Sequence, residues 1–207
     1  MDNNNNIIKE IKEIKIILLG ESGVGKTNLI NVSVGKDFEE GENTTCSSSF
    51  VTKQFIKHNT KYILNIWDTA GQEIYRAMTK LFIKNSKIVI FVYAINDKNS
   101  FDNLDYWIST TKNILGDEVL YALVGNKSDL YMEEQVKEEE AKVLADKIEA
   151  RFKTVSAKAN PNGFIDFLEK LLDDYLGNKN VNTSGEDSFE IKEENHKKKN
   201  IKKKKFC

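Results

Sequence analysis

The chain predicts an α/β domain built on a doubly wound, mostly parallel sheet. Three observations lead there. Apolar runs of strand length alternate with stretches of helical periodicity. Two of those runs, within Lys87–Ile95 and Val119–Val124, are continuously apolar, as strands covered on both faces are. One pair of runs is separated by only a short turn-like stretch, so a single hairpin is expected.

Residues 1–10 are expected to form a flexible lead, polar and asparagine-rich through Asn6. The run Ile14–Leu19 reads as a buried strand that enters a glycine-bearing loop. Phe50–Lys57 and Tyr62–Trp67 read as the hairpin, with His58-Asn59-Thr60 as its turn. Lys87–Ile95, Val119–Val124 and the short Phe152–Val155 complete the strands. Between them, Phe101, Leu104, Ile108 and Leu115 share one helical face, and Ala141, Leu144, Ala145 and Ile148 share another. Ser100 is expected to cap the first of these helices. The last helix carries Phe164, Phe167, Leu168, Leu171, Leu172 and Tyr175 on one stripe, and Gly177 is expected to close it. All these stripes are assigned to the core, and none to a ligand. The domain is therefore expected over 11–176, with a tail over 177–207.

A chain of 207 residues with 40% hydrophobic content can bury a core, and one proline, Pro161, interrupts it. There is no run of 18 apolar residues, and the start lacks the basic and apolar segments of a signal peptide. Two cysteines, Cys46 and Cys207, do not make a disulfide framework, which suits a reducing compartment. The net charge of −1 conceals a split. Residues 177–207 hold nine lysines against five acidic residues, leaving the body five charges negative. An acidic body argues against a nucleic-acid partner, and a basic tail points to an anionic surface.

Gly20-Glu21-Ser22-Gly23-Val24-Gly25-Lys26-Thr27 fits the phosphate-loop pattern. It follows a strand and opens a helix, the context such a loop needs. Glycines let backbone N–H groups curl around a phosphate, and the helix turns its positive end toward it. Lys26 can reach the β- and γ-phosphates, the Thr27 hydroxyl can ligate Mg²⁺, and Asn28 follows within the same site. After the Tyr62–Trp67 strand comes Asp68-Thr69-Ala70-Gly71-Gln72-Glu73. Asp68 can face the Mg²⁺ through water, the Gly71 N–H can approach a γ-phosphate, and Gln72 can orient an attacking water. After the fifth strand comes Asn126-Lys127-Ser128-Asp129. A carboxylate at Asp129 can accept from guanine N1–H and the N2 amine, a donor pair that adenine lacks. Asn126 can tie this loop to the phosphate loop, and the Lys127 stem can cover a face of the base. In Ser156-Ala157-Lys158 the Ala157 N–H can donate to guanine O6.

These four motifs, in this order over residues 14–176, resemble the Ras superfamily of small GTPases, and within it the Rab proteins most. Trp67 directly before the Asp68 motif, Ser22 in the loop and the long tail ending in Cys207 carry the Rab likeness. The resemblance implies a six-stranded P-loop fold, GTP and GDP as substrate and product, Mg²⁺, slow hydrolysis and two switch segments. It also implies an exchange factor, a GTPase-activating protein, effectors and a monomeric state. Thr45 matches the family's switch threonine on Mg²⁺, with Thr44 as the alternative, and Phe38 matches its aromatic at the guanine edge. Arg76 is not taken as an arginine finger. Where Rab proteins usually read Ile-Gly-Val-Asp-Phe, this chain reads Cys46-Ser47-Ser48-Ser49-Phe50, and Leu81-Phe82 replaces a usual tyrosine pair. Effector choice is thereby left open, and a poorly cycling scaffold or a Ras-like signalling protein are the alternatives.

The segment after Gly177 is polar, aperiodic and expected to be disordered. It ends with Lys197–Lys199, Lys202–Lys205 and Phe206-Cys207. Read bare, this is a solubilising run or a nuclear-import signal. Read through the resemblance, Cys207 is a prenylation site. One lipid binds membranes weakly, so the lysines would supply the second signal at an intracellular or plasma membrane.

Overall fold

The computed structural model describes residues 8–41, 49–69, 76–116 and 119–183. In chain order the elements are β1 (Glu10–Leu19), α1 (Lys26–Ser33), β2 (Ser49–Lys57), β3 (Thr60–Asp68), α2 (Arg76–Ile83), β4 (Ile88–Ala94), α3 (Lys98–Asp102), α4 (Leu104–Leu115), β5 (Leu120–Asn126), α5 (Glu138–Lys147), β6 (Arg151–Thr154) and α6 (Pro161–Thr183). A 3₁₀ turn, Ser128–Glu133, follows β5. The six strands form one sheet in the order β2-β3-β1-β4-β5-β6. The β2–β3 pair is antiparallel and every other pair is parallel. The hairpin turn is tighter than expected. His58 and Asn59 both take positive φ, 49° and 62°, and Thr60 already pairs with Lys57. That geometry matches the right-handed twist of the flanking strands.

Side-chain alternation along β1 shows how the sheet is covered. Ile14, Ile16 and Leu18 point into a core shared with α1 and α6, including Leu29, Phe164, Leu168 and Leu172. Ile17 and Leu19 point into a second core with Phe91, Trp107, Ala141 and Ile148. Burial on both sides explains why β4 and β5 read as continuous apolar runs. The five parallel strands end on one side, and the motif loops leave from those ends, where ligands bind in open α/β sheets.

The structure corrects three local expectations. The stripe Phe101–Leu115 is not one helix, because the chain breaks at Asn103 into α3 and α4. Ser100 is not the cap. Asp97 caps α3 by accepting from the Ser100 N–H at 3.2 Å. The buried Ser100 hydroxyl donates to the Asp97 carbonyl and accepts from the Ala94 N–H, pinning α3 to the end of β4. Gly177 does not close α6, which runs on to Thr183. A glycine stops a helix when it takes the left-handed conformation, and Gly177 is absent from the positive-φ glycines.

Because Gly177 is helical and a β-carbon there would meet nothing within 4 Å, Gly177→Ala should stabilise the protein by about 0.5–1 kcal/mol. The midpoint of urea unfolding measures this. A left-handed stop at that position would instead give destabilisation.

Candidate functional site

The phosphate loop is shaped by what presses against it. A β-carbon on Gly20 would lie 2.1 Å from the Val92 carbonyl oxygen of β4. One on Gly25 would lie 2.4 Å from Asn126 Nδ2, and Gly25 has φ 91°. Only glycine fits either place. Gly25 precedes α1 with no side-chain cap and no acidic residue in the first turn. The positive end of the α1 dipole therefore faces an anion without a competing carboxylate in that turn.

At this end the charges are buried. Lys26 folds back so that its ammonium donates to the carbonyls of Gly20 at 2.9 Å and Glu21 at 2.8 Å. Burial lowers its pKa to about 8, opposed by the carboxylates of Asp68 and Glu21. The Thr27 hydroxyl donates to Asp68 Oδ2 at 2.8 Å, joining the start of α1 to the end of β3. Burial raises the Asp68 pKa, while the Thr27 hydrogen bond and Lys26 act against that rise. The other oxygen, Asp68 Oδ1, is buried and has no hydrogen-bond partner among the described residues. A hydroxyl and a buried carboxylate with an orphaned oxygen are the hard donors that a hydrated Mg²⁺ needs, so the residues fit that ion. Thr69 fixes the next residue by donating to the Leu18 carbonyl at 2.7 Å. Thr45, its alternative Thr44, Gly71, Gln72, Cys46 and Cys207 lie outside the described residues.

The other end is built around Asn126, which is buried. Its Nδ2 donates to the Val24 carbonyl at 2.8 Å, and its Oδ1 accepts from the Ala157 N–H at 3.3 Å. Three motifs far apart in sequence thus meet on one side chain. Lys127 takes a left-handed φ of 63° and starts the 3₁₀ turn that carries Asp129. The Ser156 hydroxyl donates to Asp129 Oδ1 and accepts from the Ala159 N–H. Ser156 therefore stands behind Asp129 and orients it. Lys158 lies over the Phe38 ring at 5.9 Å and pairs with Glu40 at 3.1 Å.

Between the two ends lies a cavity of about 370 Å³, the size of a small-molecule site. Ser22, Gly23, Gly25, Lys26, Thr27 and Asn28 line its phosphate end. Phe38, Asn126, Lys127, Asp129, Ala157 and Lys158 line the other. Gly20, Glu21, Val24, Asp68 and Ser156 are not on its wall. The wall also includes Glu39, Glu40, Gly41, Thr69 and Leu130, which sequence reasoning passed over. Their one sequence signal was adjacency to Phe38, Asp68 and Asp129.

Phe50, Trp67 and Phe82 form a stack with centroids 5.2 and 5.4 Å apart. Lys15 covers the Trp67 ring at 4.7 Å. Phe50 stays 54% exposed, so the stack presents an apolar surface to solvent. Its members flank both expected switch segments.

A sequence model of the Ras family matches residues 15–176. Ras-related protein Rab-21 of Homo sapiens is 35% identical over 162 residues, covering 77% of this chain and 72% of the relative. Rab-21 of Geodia cydonium is 36% identical over 162 residues, covering 77% and 71%. Ras-related protein Rab-22A of Homo sapiens is 36% identical over 148 residues, covering 72% and 76%. The motif residues that the structure describes, gathered at the ends of neighbouring strands, and these likenesses lead to one conclusion: the chain belongs to the Ras family, as a Rab-like small GTPase.

Proposed function

We propose that this protein is a membrane-associated switch that binds GTP and GDP with Mg²⁺ and hydrolyses GTP slowly, acting in vesicle traffic. One observation carries the reading. A single cavity has a phosphate-type cradle at one end and the Asp129 carboxylate at the other, with Asn126 holding both.

In this reading Asp129 accepts from the guanine N1–H and N2 groups, and Ser156 keeps its carboxylate aimed. Phe38 borders the base edge, and the stem of Lys127 covers a base face. Loop N–H groups, the start of α1 and Lys26 hold the phosphates. Thr27 and Asp68, with Thr45 from the first switch, would hold Mg²⁺, which when bound neutralises charge on the β- and γ-phosphate oxygens. Gln72 orients a water whose oxygen attacks the γ-phosphorus. The bond from that phosphorus to the β–γ bridging oxygen breaks, giving GDP and phosphate. Lys26 and the loop N–H groups stabilise the charge that builds on the transferring group. Unaided turnover by such switches is slow, so an activating protein is implied, as is an exchange factor. GTP would order the two switches around Thr45 and Gly71, and hydrolysis would release them. The Phe50–Trp67–Phe82 stack lies where both switches would reshape it, which makes it the surface for effectors. Cys207, once prenylated, and the lysine runs would hold the protein on a cytosolic membrane face.

Asp129→Asn tests the base assignment. It replaces an acceptor pair with one acceptor and one donor, so GTP affinity should fall about a hundredfold while xanthosine triphosphate gains. Competition of the two nucleotides against a fluorescent guanine nucleotide reads the preference, and unchanged selectivity would remove Asp129 from the base site. Lys26 gives a second check. Phosphate should return its lowered pKa upward, so nucleotide binding at pH 8.5 should take up roughly 0.7 proton. At pH 7 Lys26 is already protonated and this uptake vanishes. Calorimetry in two buffers of different ionisation enthalpy measures it, and Lys26→Met should abolish it. For the anchor, Cys207→Ser should move the tagged protein from the membrane to the soluble fraction. Equal membrane recovery would rule out a lipid at that position.

A further inference from the structure

Asn28 lies in the first turn of α1, two residues beyond Lys26. It borders the cavity, yet both ends of its amide are turned to one residue of the loop that follows the helix. Its Nδ2 donates to the Glu39 carbonyl at 2.9 Å, and its Oδ1 accepts from the Glu39 N–H at 3.1 Å. The residue is only 8% exposed. The amide orientation is forced, because a backbone N–H must meet the oxygen and a carbonyl must meet the nitrogen. Two bonds to one peptide residue fix its orientation as well as its position.

That residue matters because of its neighbour. Phe38, next to Glu39, lines the base end of the cavity and packs against the core formed with α1 and α6. Among the described residues, backbone hydrogen bonds hold the loop as far as Lys36 and none holds residues 37–41. Side chains do it instead. One is Lys158, paired with Glu40, but these side chains are 53% and 82% exposed, and such pairs contribute little in water. The other is the sheltered Asn28 clasp, which is the stronger by geometry and burial. It links the helix that faces the phosphates to the loop that faces the base.

We propose that Asn28 is a positioning residue for nucleotide retention. By clasping Glu39 to α1 it seats Phe38 at the base edge, and so sets how fast bound guanine nucleotide leaves. The inference rests on the guanine-nucleotide reading above. Opening the clasp frees the base edge but leaves Lys26, Thr27 and Asp68 in place. Its effect therefore falls on dissociation of GDP and GTP alike, more than on the hydrolysis step.

The test loads the full-length protein with methylanthraniloyl-GDP and Mg²⁺ and follows release into excess GDP. Asn28→Ala, which removes both clasp hydrogen bonds, should release the probe about tenfold faster than the wild type or more. Asn28→Asp, of the same size, keeps the acceptor but sets a carboxylate oxygen against the Glu39 carbonyl. It should also speed release, and it serves if the alanine variant does not fold. In a Phe38→Ala background the effect of Asn28→Ala should shrink below twofold, because the ring it positions is gone. Single-turnover hydrolysis by loaded Asn28→Ala should change less than the release rate. Unchanged release in both Asn28 variants would overturn the proposal. Equal acceleration with and without Phe38 would do so too, since it would mean that Asn28 acts on the nucleotide directly. A wild-type protein that holds no probe at all would instead defeat the guanine-nucleotide reading itself.

Discussion

The site depends on one buried amide, Asn126. It sits at the end of β5, donates to the Val24 carbonyl of the phosphate loop, and accepts from the Ala157 N–H. Three loops from three strand ends are held in register by one side chain. The geometry also accounts for a glycine. Gly25 has no β-carbon because Asn126 Nδ2 occupies that space. Each buried polar group left without its partner costs about 1–3 kcal/mol, so the arrangement holds as a unit. It joins the loops at three strand ends into a single cavity with distinct ends.

The phosphate end shows a second constraint, the cost of burying charge. Lys26 is enclosed, and its pKa falls to about 8 although two carboxylates act to raise it. Asp68 is enclosed too, and burial raises its pKa despite the Thr27 hydroxyl and Lys26. Among the described residues, neither charge is fully matched. Lys26 leans on loop carbonyls, and Asp68 Oδ1 has no hydrogen-bond partner among them. A site built to receive phosphate and a divalent cation has these properties, because the ligand supplies the missing countercharges.

Much of this was legible in the sequence because motif chemistry is local. A phosphate loop needs glycines, a lysine and a hydroxyl within eight residues, and the strand before it is a simple apolar run. The two-sided burial of β4 and β5 was legible for the same reason. Helix boundaries were harder. The α3–α4 break at Asn103 leaves the apolar spacing of Phe101 and Leu104 intact, so periodicity does not register it. Asp97 displaced Ser100 as cap because the Ser100 hydroxyl is engaged by the end of β4. Gly177 looked like a stop because glycine permits the left-handed turn, but permission is not a requirement, and α6 continues through it.

What the sequence determined by itself was the order of the elements, the two-faced core and the inventory of phosphate-, cation- and base-directed groups. These follow from residue type and short spacing. Only the tertiary structure decided how the groups meet. The Asn126 bridge spans 102 residues to Val24, and the Thr27–Asp68 bond spans 41. The Asn28 clasp on Glu39 joins a helix to a loop with no motif of its own. Contacts of this kind depend on where the sheet places the strand ends, and no local pattern encodes them. That is also why Glu39, Glu40 and Leu130 appeared as cavity wall only when the chain was folded.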